Sequence, residues 1–415
     1  MQKTILLSCL IVLGATISAC SKGPESEQAA APTEFQKHLQ TQLISAKPGD
    51  VITIPGGTYE INRGLSLNVS GVTLRGEGMH KSILSFKGQV QGAEGLLINA
   101  SDFTIEDLAI EDTAGDGLKI NEGRNIIIRR VRAEWTNGPD GKNGAYGIYP
   151  VQTENLLIEE CVAIAASDAG IYVGQSKNVV VRNNRAEFNV AGIEIENTID
   201  ADVYGNVVVN NTGGILVFNM PDLPTPGHST RVYQNRVVAN NTGNFGAEGT
   251  PVASVPAGSG IVINSNDKVE IFDNDIADND TANVIISSYF ATGYQGTREM
   301  ANDYDPYPET IYVHGNRFDG GGSSPEGLDL KALKIAKFGL GGSFPDVLWD
   351  GYVNSENTDE AGALLSEYAI CVDNGDAEVL NVDLGNGSDN IVVGSTEHDC
   401  QHESLQPVVL RPPLS

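Results

Sequence analysis

Basic side chains are scarce: 26 Lys plus Arg stand against 54 Asp plus Glu, a formal net charge of −28 over 415 residues. So acidic a surface argues against nucleic acid or an anionic membrane surface as partner, and it repels acidic glycans unless cations bridge them. Aromatics make up only 6% of the chain, and its five cysteines and six histidines fall in no zinc-ligand spacing. The one long apolar run, Ile5 to Ile17, is too short for a comfortable membrane span. What is abundant is Gly, at 47 residues, together with Asn, which is the composition of a turn-rich β protein.

A short phrase recurs through the middle of the chain as Gly147-Ile148-Tyr149-Pro150, Gly170-Ile171-Tyr172-Val173, Gly192-Ile193-Glu194-Ile195 and Gly214-Ile215-Leu216-Val217, every 22 or 23 residues. Each phrase alternates inward apolar and outward variable residues, the periodicity of a strand. A second apolar strand follows at Leu156 to Ile158, Val179 to Val181 and Ala201 to Val203. Beyond it stands a column made of Leu108, Val131, Cys161, Asn184, Asn206, Asn235, Asn274 and Asn316. Five asparagines at one point of the repeat predict a buried turn whose amides bond from one coil to the next. Exposed turns would also favour Asn, but turn propensity sets no fixed spacing. A fixed period with short strands means a solenoid of stacked parallel strands.

The repeat resembles the right-handed parallel β-helix of the pectin-lyase-like family over about residues 41 to 320, which implies an all-β fold of three sheets with a small C-terminal cap. Ile17-Ser18-Ala19-Cys20 resembles the lipobox of bacterial lipoproteins, which implies a signal peptide over 1–19 and a lipid on Cys20. Ser21 after it favours the outer membrane. A polar tether is expected over 20–34, the β-helix over 35–320 and a capping region over 321–415, with Phe35 to Leu43 covering the first coil and a helix over Leu328 to Phe338. Tyr146-Gly147-Ile148-Tyr149-Pro150-Val151-Gln152 is similar to the Tyr-Gly-(Phe/Ile)-Asp-Pro-His-Asp motif of mannuronan epimerases. Tyr149, Val151 and Gln152 replace its acid and base groups, so the likeness implies the fold without the epimerase reaction. The whole pattern resembles the bacterial parallel β-helix repeat lipoproteins, a family that supplies no reaction by itself.

Departures from the period place long insertions between Val131 and Gly147, Val217 and Thr230, Asn235 and Gly260, and Ile286 and Ile311. All four border the first sheet, so they are expected to wall a cleft there. Its floor is predicted from the outward positions: Lys119, Tyr149, Tyr172, Glu194, Leu216, Val262 and Ile285, with Glu196 and Phe218 further along their strands. Tyr146, Tyr149, Tyr172 and Phe218 are candidates to bind a polysaccharide. Glu194 and Glu196 are candidates for a glycosidase carboxylate pair at ~6.6 to 7 Å spacing, and Lys119 or a tyrosine for the base of a lyase. A solvated face would account for the same residues. His228, on the Pro-rich loop from Met220 to Thr230, is a candidate acid or base. The loop from Ser287 to Thr310, with Asp303, Tyr304, Asp305 and Tyr307, is a candidate lid or calcium site.

Cys371 and Cys400 are expected to form a disulfide. A metal cluster at His398-Asp399-Cys400-Gln401-His402 is the alternative, and Cys161 is expected to be buried and inert. The functional expectation is an envelope lipoprotein that binds and cleaves a polysaccharide. Its alternative is a non-catalytic adhesion or scaffold lipoprotein with a protein partner.

Overall fold

The computed structural model describes residues 31–221, 223–292 and 304–411. The proposed signal peptide, most of the tether and Cys20 lie outside the described residues, as does Asp303. The described chain winds as a parallel β-helix with three sheets. In the regular coils one strand of each sheet follows the last, as in Ala169–Gly174, Lys177–Arg182 and Arg185–Glu187. Each strand pairs in parallel with its counterpart one coil on, so that Ile171, Ile193, Ile215, Ile261 and Val284 stack in register. All five are fully buried. Burying a side chain of this size contributes about 1.5–3 kcal/mol, and only stacking provides the burial.

The turn between the second and third sheets holds the asparagine column, and its bonding explains the spacing. Asn206 donates from its backbone N–H and from Nδ2 to Asn235 Oδ1 (3.0 and 2.9 Å), and Nδ2 also reaches the carbonyl of Val181 at 3.0 Å. The same pattern links Asn184, Asn235, Asn274 and Asn316, and Asn374 receives the last step. Cys161 enters the file from its apolar end, its N–H donating to Asn184 Oδ1 at 2.9 Å, and burial pushes its thiol up to about 12. The residue before each ladder asparagine is left-handed: Asn183, Gly205, Gln234, Asp273 and Gly315 all have φ between 53° and 64°. That conformation turns the chain sharply enough for the next side chain to point inward.

A second file, formed by Asn189, Asn211, Asn240 and Asn279, does the same between the third and first sheets. The sequence reading did not isolate it, because the apolar phrase beside it dominates the pattern.

Coils continue past residue 320. Val347–Trp349 and Ile370–Asp373 extend the first and second sheets in parallel, and Val379–Asn381 adds one more strand to the first. The links between them, including the helix Leu328–Phe338, are long and irregular, which hides the period. The last strand of this ladder, Val392–Gly394, runs antiparallel to the rest. At the other end the helix Glu34–Ser45 lies against the first coil. There Gln36 and Gln40 each exchange a donor and an acceptor with the free edge of the strand Arg63–Leu67 and the adjoining Asn62.

Replacing Asn206 by Ala takes the acceptor from the buried N–H of Asn184 and a donor from the buried C=O of Val181 and from Asn235 Oδ1. Each costs about 1–3 kcal/mol, so thermal or urea unfolding of N206A is expected to show a loss of about 3 kcal/mol or more. A loss below 1 kcal/mol would mean that water replaces the amide.

Candidate functional site

On the outward face of the first sheet, Lys119 pairs with Tyr149, and pairing of Ile148 with Ile171 sets Tyr149 beside Tyr172. Glu194, Leu216, Val262, Ile285 and Leu348 continue the column in register. The predicted alignment therefore holds, but the open floor does not. Tyr172 and Phe218 are each 4% exposed, Glu194 2% and Leu216 not at all. The insertions fold down onto the sheet and bring Met220, Val252 and Val255, joined by Phe344 from the segment after the helix Leu328–Phe338, against Leu216, Val262, Ile285 and Leu348 in a second hydrophobic core. Outward residues this apolar are more stable roofed than wet. What stays open in this half is a cavity of about 340 Å³ beside Phe218 and Ile285.

The polar half is a cluster of three tyrosines and three carboxylates. The rings of Tyr146, Tyr149 and Tyr172 are packed with centroids 4.3 to 5.0 Å apart. Tyr172 Oη donates to Glu196 Oε1 at 2.6 Å, and Gln175 Nε2 donates to Tyr172 Oη at 3.1 Å. Burial, with the neighbouring charges of Asp168 and Glu196, holds the Glu194 carboxyl well above the usual range. Burial and Glu196 likewise push Asp168 up to about 8, offset in part by a hydrogen bond to Tyr146. Glu194 Oε2 has no hydrogen-bond partner. Burial and like charge thus press both acids toward their protonated forms beside Glu196, which accepts from Tyr172. Tyr149 is raised to about 12 by burial and by Asp116, and burial also raises Tyr146 and Tyr172, so none of the three is a ready base at neutral pH.

Lys119 is the cation of two ion pairs, with Glu94 at 3.6 Å and Asp116 at 3.8 Å, and it lies 4.8 Å over the Tyr149 ring. That occupies it otherwise than as the lyase base the sequence offered. His228 opens the strand His228–Tyr233 of the second sheet instead of riding on a loop, in register with Ile199 and Asp267. Its ring bonds Ser229 Oγ at 2.8 Å, and burial lowers its pKa. The inserted loop ends at Gly227, three residues before the Thr230 bound expected for it.

The accessible cleft lies at the exit edge of the first sheet. A cavity of about 370 Å³ is lined there by Gln152, Glu154, Gln175, Lys177, Pro224 and Thr225, among others. The predicted insertion from Val217 to Thr230 supplies its wall, and Gln175 connects it to Tyr172 and Glu196. The sequence reading missed this cleft because its lining comes from polar residues at bends and strand ends, with no apolar period.

In the other predicted loop, Tyr304 packs edge-on to Tyr289 and donates to the carbonyl of Asn219 at 2.7 Å. Asp267 beneath it is pushed up to about 8 by burial and by Asp305. Among the described residues, no group of three or more His, Cys, Asp or Glu side chains is arranged to hold a metal ion. Cys371 and Cys400 are joined in a disulfide, and the rings of His398 and His402 bond the carbonyls of Ile370 and Ala369.

The raised carboxyls set a pH dependence. A carboxyl whose folded pKa lies above its unfolded one favours folding most below the unfolded value, and that contribution is lost as pH rises toward the folded one. Stability is therefore expected to fall from about pH 4 to pH 8, by up to about 1.4 kcal/mol per pH unit for each such group. Urea titrations of Asp168→Asn should show a shallower fall; an unchanged slope would place the proton elsewhere.

The family model described as right handed beta helix region matches residues 70–224 and 143–318, more than half of the chain. The preneck appendage protein of Bacillus phage PZA is 25% identical over 304 residues, covering 56% of this chain and 35% of the relative. The pre-neck appendage protein of Bacillus phage phi29 is also 25% identical, over 288 residues, covering 52% and 34%. The chain thus spans about a third of the length of these curated relatives. Among solved structures, the A-module of mannuronan C-5 epimerase AlgE4 from Azotobacter vinelandii aligns with a TM-score of 0.51 at 18% identity, over 84% of this chain and 92% of that one. With the coil geometry and the matched residues in agreement, the chain belongs to the right-handed β-helix family.

Proposed function

We propose that this chain is a polysaccharide-binding envelope lipoprotein, anchored through Cys20 to the outer membrane, that cleaves its ligand by hydrolysis at the exit edge of the first sheet. The observation that carries the reading is the pairing of buried Glu194 and Asp168, both pressed toward the protonated form, with Glu196 behind a cleft lined largely by polar residues. Glycoside hydrolysis needs one protonated and one ionised carboxyl. A lyase needs a free base, and Lys119 and the tyrosines are engaged otherwise. Tyr149 and Gln175 would take the sugar, with Glu154 on the cleft lining and Glu196 reached behind Gln175. Epimerisation, the activity named for the solved neighbour, is not proposed, because Tyr149, Val151 and Gln152 stand where that motif has its acid and base. Charge favours a neutral glycan, or an acidic one carried with calcium.

The roof over Tyr172 and Glu194 favours a second reading, a non-catalytic adhesion or scaffold lipoprotein that uses the same edge for a partner. Glycan arrays followed by calorimetry and reducing-end assays separate the two. Y149A and Q175A are expected to weaken binding about tenfold, about 1.4 kcal/mol each. E196Q is expected to keep binding and lose product. Binding without product in the parent chain would select the second reading, and no saccharide binding at all would remove the first.

A further inference from the structure

After the disulfide at Cys400 the chain does not stop at the last coil. Residues 405–411 run back along the solenoid over the outward face of the second sheet, crossing its strands. Three backbone N–H groups are held there by side chains: Leu405 donates to Glu270 Oε2 at 3.0 Å, Val408 to Asp202 Oδ2 at 3.3 Å, and Arg411 to Asn155 Oδ1 at 2.8 Å. Between them Asn178 Nδ2 donates to the carbonyl of Val409 at 3.3 Å.

The donors recur every third residue, and the acceptors recur every second coil. Asp202 and Glu270 are separated in register by Arg231, and the strand that carries Asn155 is separated from that of Asp202 by Lys177–Arg182. Two coil steps at ~4.8 Å make ~9.6 Å. Three residues of polyproline II rise ~9.3 Å with no internal hydrogen bonds, leaving every N–H free for docking. A strand covers a similar length but alternates sides with a period of two, so donors three residues apart would point to opposite sides, whereas three residues per turn bring them to one side.

The face is also built to be covered. Leu157 and Val180 stand in the outward column that continues into Asp202, outside the core of the coil, yet they are 0% and 5% exposed. Leu405, Val408 and Leu410 are half-buried while Gln406, Pro407 and Val409 are exposed. Pro407, which has no N–H to give, falls off the three-residue register. Beside the groove runs a ladder of stacked rings, Tyr204, Tyr233, Phe272 and His314.

We propose that the outward face of the second sheet is a receptor groove for a proline-containing peptide in the polyproline II conformation, and that residues 405–411 are a displaceable ligand which the chain supplies to itself. A partner fits if it is extended and apolar and presents a free N–H at every third residue.

The test uses the full chain carrying Val408→Pro, which removes the central donor. Hydrogen exchange across 404–411 should rise at least tenfold with the melting temperature of the coils unchanged. A fluorescent peptide of residues 403–411 should then bind this variant at least tenfold more tightly than the parent chain. The same peptide carrying Val408→Pro should not bind, whereas one carrying Gln406→Pro should bind as well as the parent sequence. In the parent chain, excess peptide should accelerate exchange at 404–411. The proposal is overturned if V408P leaves exchange unchanged, if the released chain takes no peptide, or if the two proline peptides behave alike.

Discussion

A solenoid must bring the backbone back to the same point after every turn, and here the buried amide files do that. Each asparagine accepts from the backbone and side chain of the coil before it, so a coil that missed its place would leave polar groups unpaired away from water. The aliphatic columns reward any close stacking, whereas the amides reward one register only. Because the register is fixed, variation in loop length is pushed to the borders of the first sheet, where it can add covering structure without disturbing the wind.

That covering divides the first sheet into two environments. Where outward residues are apolar, from Leu216 onward, the insertions make a second core. Where they are tyrosines and carboxylates, the same covering removes water from the acids and raises the pKa of Glu194 and Asp168. The chemistry of the cluster is thus a product of the roof as much as of the residues. Glu196 and Gln175, at the edge of the covering, connect it to the polar cleft.

The coil and its first asparagine file were legible because both depend on fixed spacing, and the helix Leu328–Phe338 falls where its apolar period places it. The alignment of Tyr149, Tyr172 and Glu194 could also be read, since register follows from the period. Their burial could not: strand alternation tells outward from inward, but not whether a distant loop will cover the outward side. His228 was misplaced because the loop expected to run to Thr230 gives way to a strand at His228. The second asparagine file and the groove occupied by residues 405–411 depend on polar residues whose partners lie 22 to more than 250 positions away, beyond any local pattern.

At both ends of the first-sheet ladder the terminal strand meets something other than another parallel strand. At the first coil, Gln36 and Gln40, four residues apart on a helix, set their side-chain amides against the strand edge in the place of peptide groups. At the far end the first-sheet ladder finishes on a short strand of reversed direction. Parallel stacking is the arrangement by which identical chains polymerise into fibrils, and a rod of this kind is at risk of it at each tip. A glutamine pair imitating one rung, and a final rung that points the wrong way, keep the first-sheet ladder from being continued in parallel register at either tip.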